Sequence, residues 1–330
     1  MLMSSFAVPI PFEIVDGQKM LRRSDWWRLG YRVQRYMSYL SLDELDERNK
    51  DIFANVSTLT PQGQIGFPPV KGDSIFPWME LWTHVLEEYS LRGLGLPEGF
   101  IRDVQLPVPT GDGAAKGARE LQRRGLDPEG KLIKFGKEEH LRDAFKTGRW
   151  RIAPASSYRG DSCRARQDSE LELAYRVPRF QRHSSATDEL DDRYPDSFVA
   201  LQDFQAKASG DYYAACFART FIHRLFDDFS ANSCLIVMDE KIFTQKMLNA
   251  FAAFRPQWSA LCRKVDYVDP ILPKNHPDVY FAKHFRYTYQ EEFRFVWMPP
   301  QASSVLPPVF IDLGSLSDCC ELLTEDQINS

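Results

Sequence analysis

The chain has 330 residues, a formal net charge of −5, and 43% hydrophobic, 13% aromatic and 26% charged residues. At ~150 residues per domain this is two domains' worth of chain, able to bury ~75% of its unfolded surface without disulfide or metal staples. The mixture excludes a disordered chain, a collagen-like repeat and a coiled coil, and no stretch approaches the ~20 apolar residues of a membrane-spanning helix.

The N-terminal stretch lacks the basic start of a secretory signal, and Pro9, Pro11 and Glu13 interrupt its apolar letters. The six cysteines form no C-x-x-C pair and stand at no metal-ligand spacing from a histidine. Together these features predict a cytoplasmic protein with structural thiols and no metal. Asp25 opens a helical run through about residue 40, with Trp27, Tyr31, Val33, Tyr36 and Leu40 on one side and Arg28, Arg32 and Arg35 on another. Ser41 followed by Glu44 is a capping-box pattern for a helix to about Asn55. After a Pro/Gly loop, Pro77 suits the first turn of a helix that carries Trp78, Leu81, Trp82, Val85 and Leu86 on one face and ends at Gly93. A glycine-rich passage with a short basic helix follows and is the best linker, so the spacing predicts a mainly helical domain over 1–127 and an α+β domain over 128–330.

Beyond that boundary the texture is mixed. Strands are expected at 132–135, 150–153, 212–217, 235–238, 265–268, 292–298 and 309–313. Short helices are expected at 140–148 and 220–229, and a longer one carries Phe243, Met247 and Phe251 on one face. Residues 156–210 read as a long polar loop with one or two short elements. Residues 131–182 hold 13 basic and 7 acidic side chains in an otherwise acidic chain, which suits a phosphate-bearing ligand or a plain solvated face. From Gln290 the sequence alternates: Phe293, Phe295 and Trp297 point to a core, and Gln290, Glu292, Arg294 and Val296 to the opposite face. A solvent-exposed sheet face has the same pattern.

Seven short passages in order carry a resemblance: Ile133-Lys134-Phe135, HLRDAFKTGRWRIA, Ser157-Tyr158-Arg159-Gly160-Asp161, Ala215-Cys216-Phe217-Ala218, CLIVMD, KVDYVDP, and Tyr289-Gln290-Glu291-Glu292-Phe293-Arg294. Over about 131–300 the chain resembles a group of bacterial domains of unknown function whose core is like that of ADP-ribosyltransferases. The resemblance implies an α+β fold with a split mixed sheet, and NAD as substrate for mono-ADP-ribosyl transfer to a protein or nucleic-acid acceptor, in the manner of toxins and phage-defence effectors. It gives Glu292 the role of stabilising the ribosyl cation and Gln290 that of orienting the acceptor. Lys134, Arg151, Ser156, Ser157, Tyr158 and Arg294 become candidate NAD contacts. Arg159-Gly160 replaces the Asn-Asp character of the family loop. With the Arg/Trp-rich N-terminal helices, that departure leaves open a second reading, an inactive module of this fold that binds nucleic acid or a partner protein. Cys216 with His223, the Cys319-Cys320 doublet and the acidic pairs Asp227-Asp228 and Asp239-Glu240 are better read as core, tail packing and solvated caps.

Overall fold

The structure is a computed structural model and describes residues 13–15, 18–60, 62–68, 75–95, 106, 113–159, 170–181, 197–274, 276–303, 305–324 and 327. The chain divides into two compact units, one of Met1–Val56, Pro68–Gln105 and Arg176–Asp203, the other of Ser57–Phe67, Leu106–Tyr175 and Phe204–Ser330. The units interleave along the chain, so a single cut near residue 128 does not describe them. The glycine-rich stretch expected as the linker lies partly outside the described residues.

In the first unit two short strands, β1 (Glu13–Val15) and β2 (Gln18–Met20), pair antiparallel. Helix α1 (Arg23–Gln34) is shorter than its periodicity predicts, because Arg35 turns left-handed at φ 36°. Tyr36, Met37 and Leu40 therefore reach the core from the following turn. The capping box forms at the start of α2 (Leu42–Val56): the Glu44 amide donates to Ser41 Oγ at 3.2 Å, and the Ser41 amide donates to Glu44 Oε2 at 2.8 Å. Helix α3 (Phe76–Leu91) takes Pro77 in its first turn, and Gly93 follows it at φ 69°. Its Glu87 and Glu88 are buried and receive the α1 arginines. Arg28 Nε lies 2.6 Å from Glu87 Oε2, Arg32 pairs with the same carboxylate, and Arg35 Nε donates to Glu88 Oε2 at 3.1 Å. Tyr31 adds its hydroxyl to Glu88 at 2.5 Å, and Arg92, just past the end of α3, donates at 2.7 Å.

In the second unit β3 (Thr58–Leu59) pairs with β4 (Ile65–Gly66). Helix α4 (Gly113–Arg124) is the basic helix expected in the linker; its Leu121 belongs instead to this unit's core. The main sheet uses β5 (Leu132–Gly136), β6 (Arg149–Pro154), β9 (Tyr213–Ala218), β10 (Ser233–Val237), β11 (Ser259–Lys264), β14 (Glu292–Met298), β15 (Val309–Asp312) and β16 (Cys320–Leu323). The order is β11-β14-β9-β5-β10-β16, with β6 between β9 and β15. Every pairing in this sheet is antiparallel, which corrects the mixed sheet expected. A parallel pair occurs apart from it, between β12 (Asp266–Val268) and β13 (Ala282–His284). The fold is α+β. Strands β11 and β16 were not foreseen. Within the supposed loop of 156–210 lie two long strands, β7 (Glu172–Gln181) and β8 (Ser197–Lys207), which pair with each other and have residues in both units. Leu173, Tyr175 and Val177 of β7 stand at period 2, a strand signal present in the sequence.

One sheet face is covered by α5 (Glu138–Thr147) and α7 (Glu240–Phe254). Phe243, Met247 and Phe251 of α7 meet Phe217, Phe293, Phe295 and Trp297 there, as the spacing of both segments predicts. Gly148 ends α5 at φ 77°, and the backbone of Gly314 passes so close that an added Cβ would lie 2.1 Å from its carbonyl oxygen. The opposite face carries two separate apolar clusters. Leu121, Leu225 and Phe226, from α4 and α6 (Arg224–Asp228), pack on Ile133 and Phe135; Ala155, Tyr212 and Phe281 pack on Ala214 and Val296. Among the described residues no helix is long and apolar enough to cross a membrane.

Candidate active site

The polar face of β14 is where the alternation puts it, but it is not open to solvent. Glu292 is 5% exposed and Arg294 0%, which eliminates the exposed-sheet reading of the pattern. Their neighbours across the ladder on β9 are Ala218 and Cys216. Both are small, and this leaves room for two long ionic side chains inside the fold.

Gln290 reaches the same place by a different route from the one the alternation predicts. It ends a 3-10 turn, Phe285–Gln290, and the strand begins only at Glu292. Between them Glu291 is left-handed at φ 45° and exposed, a strained conformation for a non-glycine residue. The turn still buries Gln290 against Lys283, whose ammonium donates to Gln290 Oε1 at 3.1 Å and to Glu292 Oε2 at 2.7 Å. Glu292 Oε1 accepts from Arg294 Nε at 2.6 Å. The Glu292 amide donates to the Tyr267 hydroxyl at 2.7 Å. Arg294 also donates to the Tyr280 carbonyl at 3.2 Å, and its other nitrogen lies 2.6 Å from Glu170 Oε2 in ionic contact without hydrogen-bond alignment. Among the described residues, two cations thus face two carboxylates in a buried set. Removing a cation takes a close counter-charge from a carboxylate at low dielectric.

Burial by itself would raise the Glu292 carboxyl, but Arg294 and Lys283 outweigh it and hold the group well below the usual carboxylate range. Glu292 is ionised. Burial, with Glu170 and Glu292 nearby, pushes the Tyr158 phenol upward, and burial and Glu292 push the Cys216 thiol up to about 12. Cys216 stays protonated, and this removes the thiolate that a Cys216–His223 nucleophile would need.

The remaining candidates divide. Half-buried Tyr158 sits close enough to Glu292 and Glu170 to feel their charges. Lys134 donates to the Cys216 carbonyl at 2.9 Å, and its ammonium lies 5.7 Å from the Phe217 ring. It fills the place where β5, which meets β9 only at Ile133–Ala218, diverges from that strand. Ser156 is tied to Asp211, through its amide at 3.0 Å and its hydroxyl at 2.6 Å. Ser157 bonds the Pro154 carbonyl at 2.7 Å, and Arg151 is exposed on β6 opposite Phe310; neither joins the buried cluster. Arg159 pairs with Glu172, and Gly160 and Asp161 lie outside the described residues, as does Cys163. Lys283, Glu170 and Tyr267 belong to the site without having been singled out as site residues. Tyr267 lies in the KVDYVDP passage of the resemblance, whereas Glu170 lies outside all seven passages.

Other candidates resolve into structural roles. Asp228 is not a solvated cap but the buried partner of Arg224 at 2.8 Å, and Asp239 caps α7 through the Ile242 amide at 3.0 Å. Cys319 and Cys320 are buried, with sulfurs 3.8 Å apart. Among the described residues no group of three or more His, Cys, Asp or Glu side chains could hold a metal ion. The arginines Arg28, Arg32 and Arg35 point into carboxylates of their own unit, so the basic texture of α1 is in large part internal pairing. Neither a family model, a curated protein nor a solved structure matches this chain.

Proposed function

We propose that the second unit is an ADP-ribosyltransferase-like domain that consumes NAD and passes ADP-ribose to a protein or nucleic-acid acceptor, in a toxin or defence role. The observation that carries the reading is a buried glutamate, Glu292, kept ionised beside Gln290 by Lys283 and Arg294. In the reaction the nicotinamide–ribose bond breaks, its electron pair leaves with neutral nicotinamide, and positive charge develops on the ribose. A carboxylate that accepts a hydrogen bond from the ribose 2′-hydroxyl stabilises that charge as it forms. Each oxygen of Glu292 has lone-pair capacity beyond the cation it already meets. Gln290 cannot take a proton, so it orients an acceptor that is already nucleophilic; with water in that place the products are nicotinamide and free ADP-ribose. Tyr158 offers a ring for the nicotinamide. Nicotinamide release by the purified protein tests this. Glu292→Gln is expected to lower it ~10²–10³-fold, and equal release by the two proteins sinks the assignment.

A second reading has its own observation. Both Glu292 oxygens are already engaged and the carboxylate is almost fully buried, as in an ion network that only holds a fold together. On this reading the unit is an inactive module that binds nucleic acid or a partner protein. Thermal shifts separate the two: no response to NAD, with a salt-dependent response to single-stranded or duplex nucleic acid, favours the module.

A further inference from the structure

Strand β13 makes a three-residue parallel ladder with β12, outside the main sheet. In its register Tyr267 stands beside Lys283. These two neighbours hold Glu292 at both ends. The Tyr267 hydroxyl accepts the Glu292 amide at 2.7 Å, and the Lys283 ammonium meets the carboxylate at 2.7 Å. The same ammonium takes the Gln290 amide oxygen at 3.1 Å and lies 4.7 Å from the Tyr287 ring, whose face favours a cation. Lys283 is 3% exposed.

A buried lysine on a short, separate ladder is costly to keep, since desolvating an ammonium is repaid only by well-placed acceptors. Sheet pairing does not account for it: β12 and β13 pair through their backbones whatever side chain stands at 283. Nor does the main sheet hold Gln290, because the left-handed Glu291 breaks the alternation between 290 and 292. What brings the two side chains to one point is the shared ammonium. From this geometry we infer that Lys283 is the positioning residue of the Gln290–Glu292 pair, with Tyr267 fixing the backbone it acts on.

The groups facing Glu292 are Lys283 and Arg294, with Tyr267, Tyr158, Tyr212, Cys216 and, across Arg294, Glu170. Without the lysine charge, Glu292 keeps Arg294, which it shares with Glu170, and the Glu292 proton affinity rises. A structural methylene stem in the same place would have no such effect.

The test uses the full chain with ¹³C-carboxyl glutamate, the Glu292 signal being assigned by its loss in Glu292→Gln. In the unaltered protein that carboxylate is expected to titrate below the ordinary carboxylate range. In Lys283→Met, and in Lys283→Gln, whose amide retains hydrogen-bond donors should the first variant fold poorly, the midpoint is expected to rise by a pH unit or more. That is a tenfold or greater gain in proton affinity. Lys283→Arg keeps the midpoint low. Midpoints in Met and Gln variants equal to that of the unaltered protein overturn the inference, as does finding Lys283 itself neutral at pH 7 by ¹⁵N NMR. The activity arm rests on Gln290 and Glu292 being the working pair. There Lys283→Met lowers kcat for nicotinamide release by about 10²-fold with little change in KM and moves the acid limb upward, and Lys283→Arg returns the limb. An unaltered protein that releases no nicotinamide removes the NAD reading, and the titration then judges Lys283 without it.

Discussion

Arg294→Met is the most informative single change to the fold. The side chains are similar in length, so packing is nearly kept while the guanidinium is lost. With it go the 2.6 Å contacts to Glu292 and Glu170 and the 3.2 Å bond to the Tyr280 carbonyl. Lys283 then remains on Glu292, and Glu170 loses its 2.6 Å contact with a buried cation. Breaking a buried pair in this way costs about 3–5 kcal/mol, more than the ~1 kcal/mol expected had these been surface ion pairs. The pH dependence follows from the depressed Glu292 carboxyl. Stability from its ionised form is present above the ordinary carboxylate value and is lost as pH falls below it, so the unaltered protein loses this contribution in acid. In Arg294→Met the contribution is already missing at pH 7, and the gap between the two proteins narrows toward pH 4. Glu170→Gln placed on top of Arg294→Met restores neutrality and is expected to recover 1 kcal/mol or more, within the ~0.5–3 kcal/mol range of coupling between contacting residues. Urea unfolding at pH 7 and pH 4.5, followed by near-UV circular dichroism, measures all four proteins of the cycle. A loss below ~1 kcal/mol at pH 7, or no recovery in the double variant, refutes the account of a charge-balanced buried cluster.

Two further predictions concern other parts of the molecule. In the helical unit His84 bonds the Tyr36 hydroxyl at 3.0 Å, and burial, with Arg48 nearby, lowers it from 6.5 to about 4. The unfolded chain therefore binds its proton more tightly, stability is complete above pH 6.5, and up to about 3 kcal/mol is lost as pH falls toward 4. His84→Gln flattens the profile between pH 6.5 and 5; a slope identical to that of the unaltered protein would falsify the assignment. Gly148 and Gly125 both have positive φ, but a Cβ at 148 meets the Gly314 backbone at 2.1 Å while one at 125 meets nothing within 4 Å. Gly125→Ala should cost about 1 kcal/mol for its left-handed backbone, and Gly148→Ala at least about 3 kcal/mol because the Gly314 backbone must also move. Equal losses in thermal unfolding would show that the close approach does not matter.

The features legible in the sequence are those whose physics is local. Ser41 and Glu44 cap a helix because three residues of spacing bring side chain and amide together in any first turn. Phe243, Met247 and Phe251 share a face because 3.6 residues make a turn, and Phe293, Phe295 and Trp297 share one because strand side chains alternate. The apolar rule also indicated that Glu292 and Arg294 lie opposite those aromatics. It did not reveal that their face is buried. That depends on what the chain brings to it from far away: Glu170 from just before β7, Lys283 from a separate ladder, and Ala218 and Cys216 small enough to make room. The same limit explains α4, whose basic surface reads as a linker until Leu121 is seen in the core. Gln290 belongs to both classes. Its neighbourhood with Glu292 was legible, but the period-2 argument for it fails at the left-handed Glu291, and the tertiary structure restores the neighbourhood through one lysine ammonium. Periodicity depends on bonds along the chain, whereas charge balance in a core depends on which residues the fold sets face to face, and only the tertiary structure decides that.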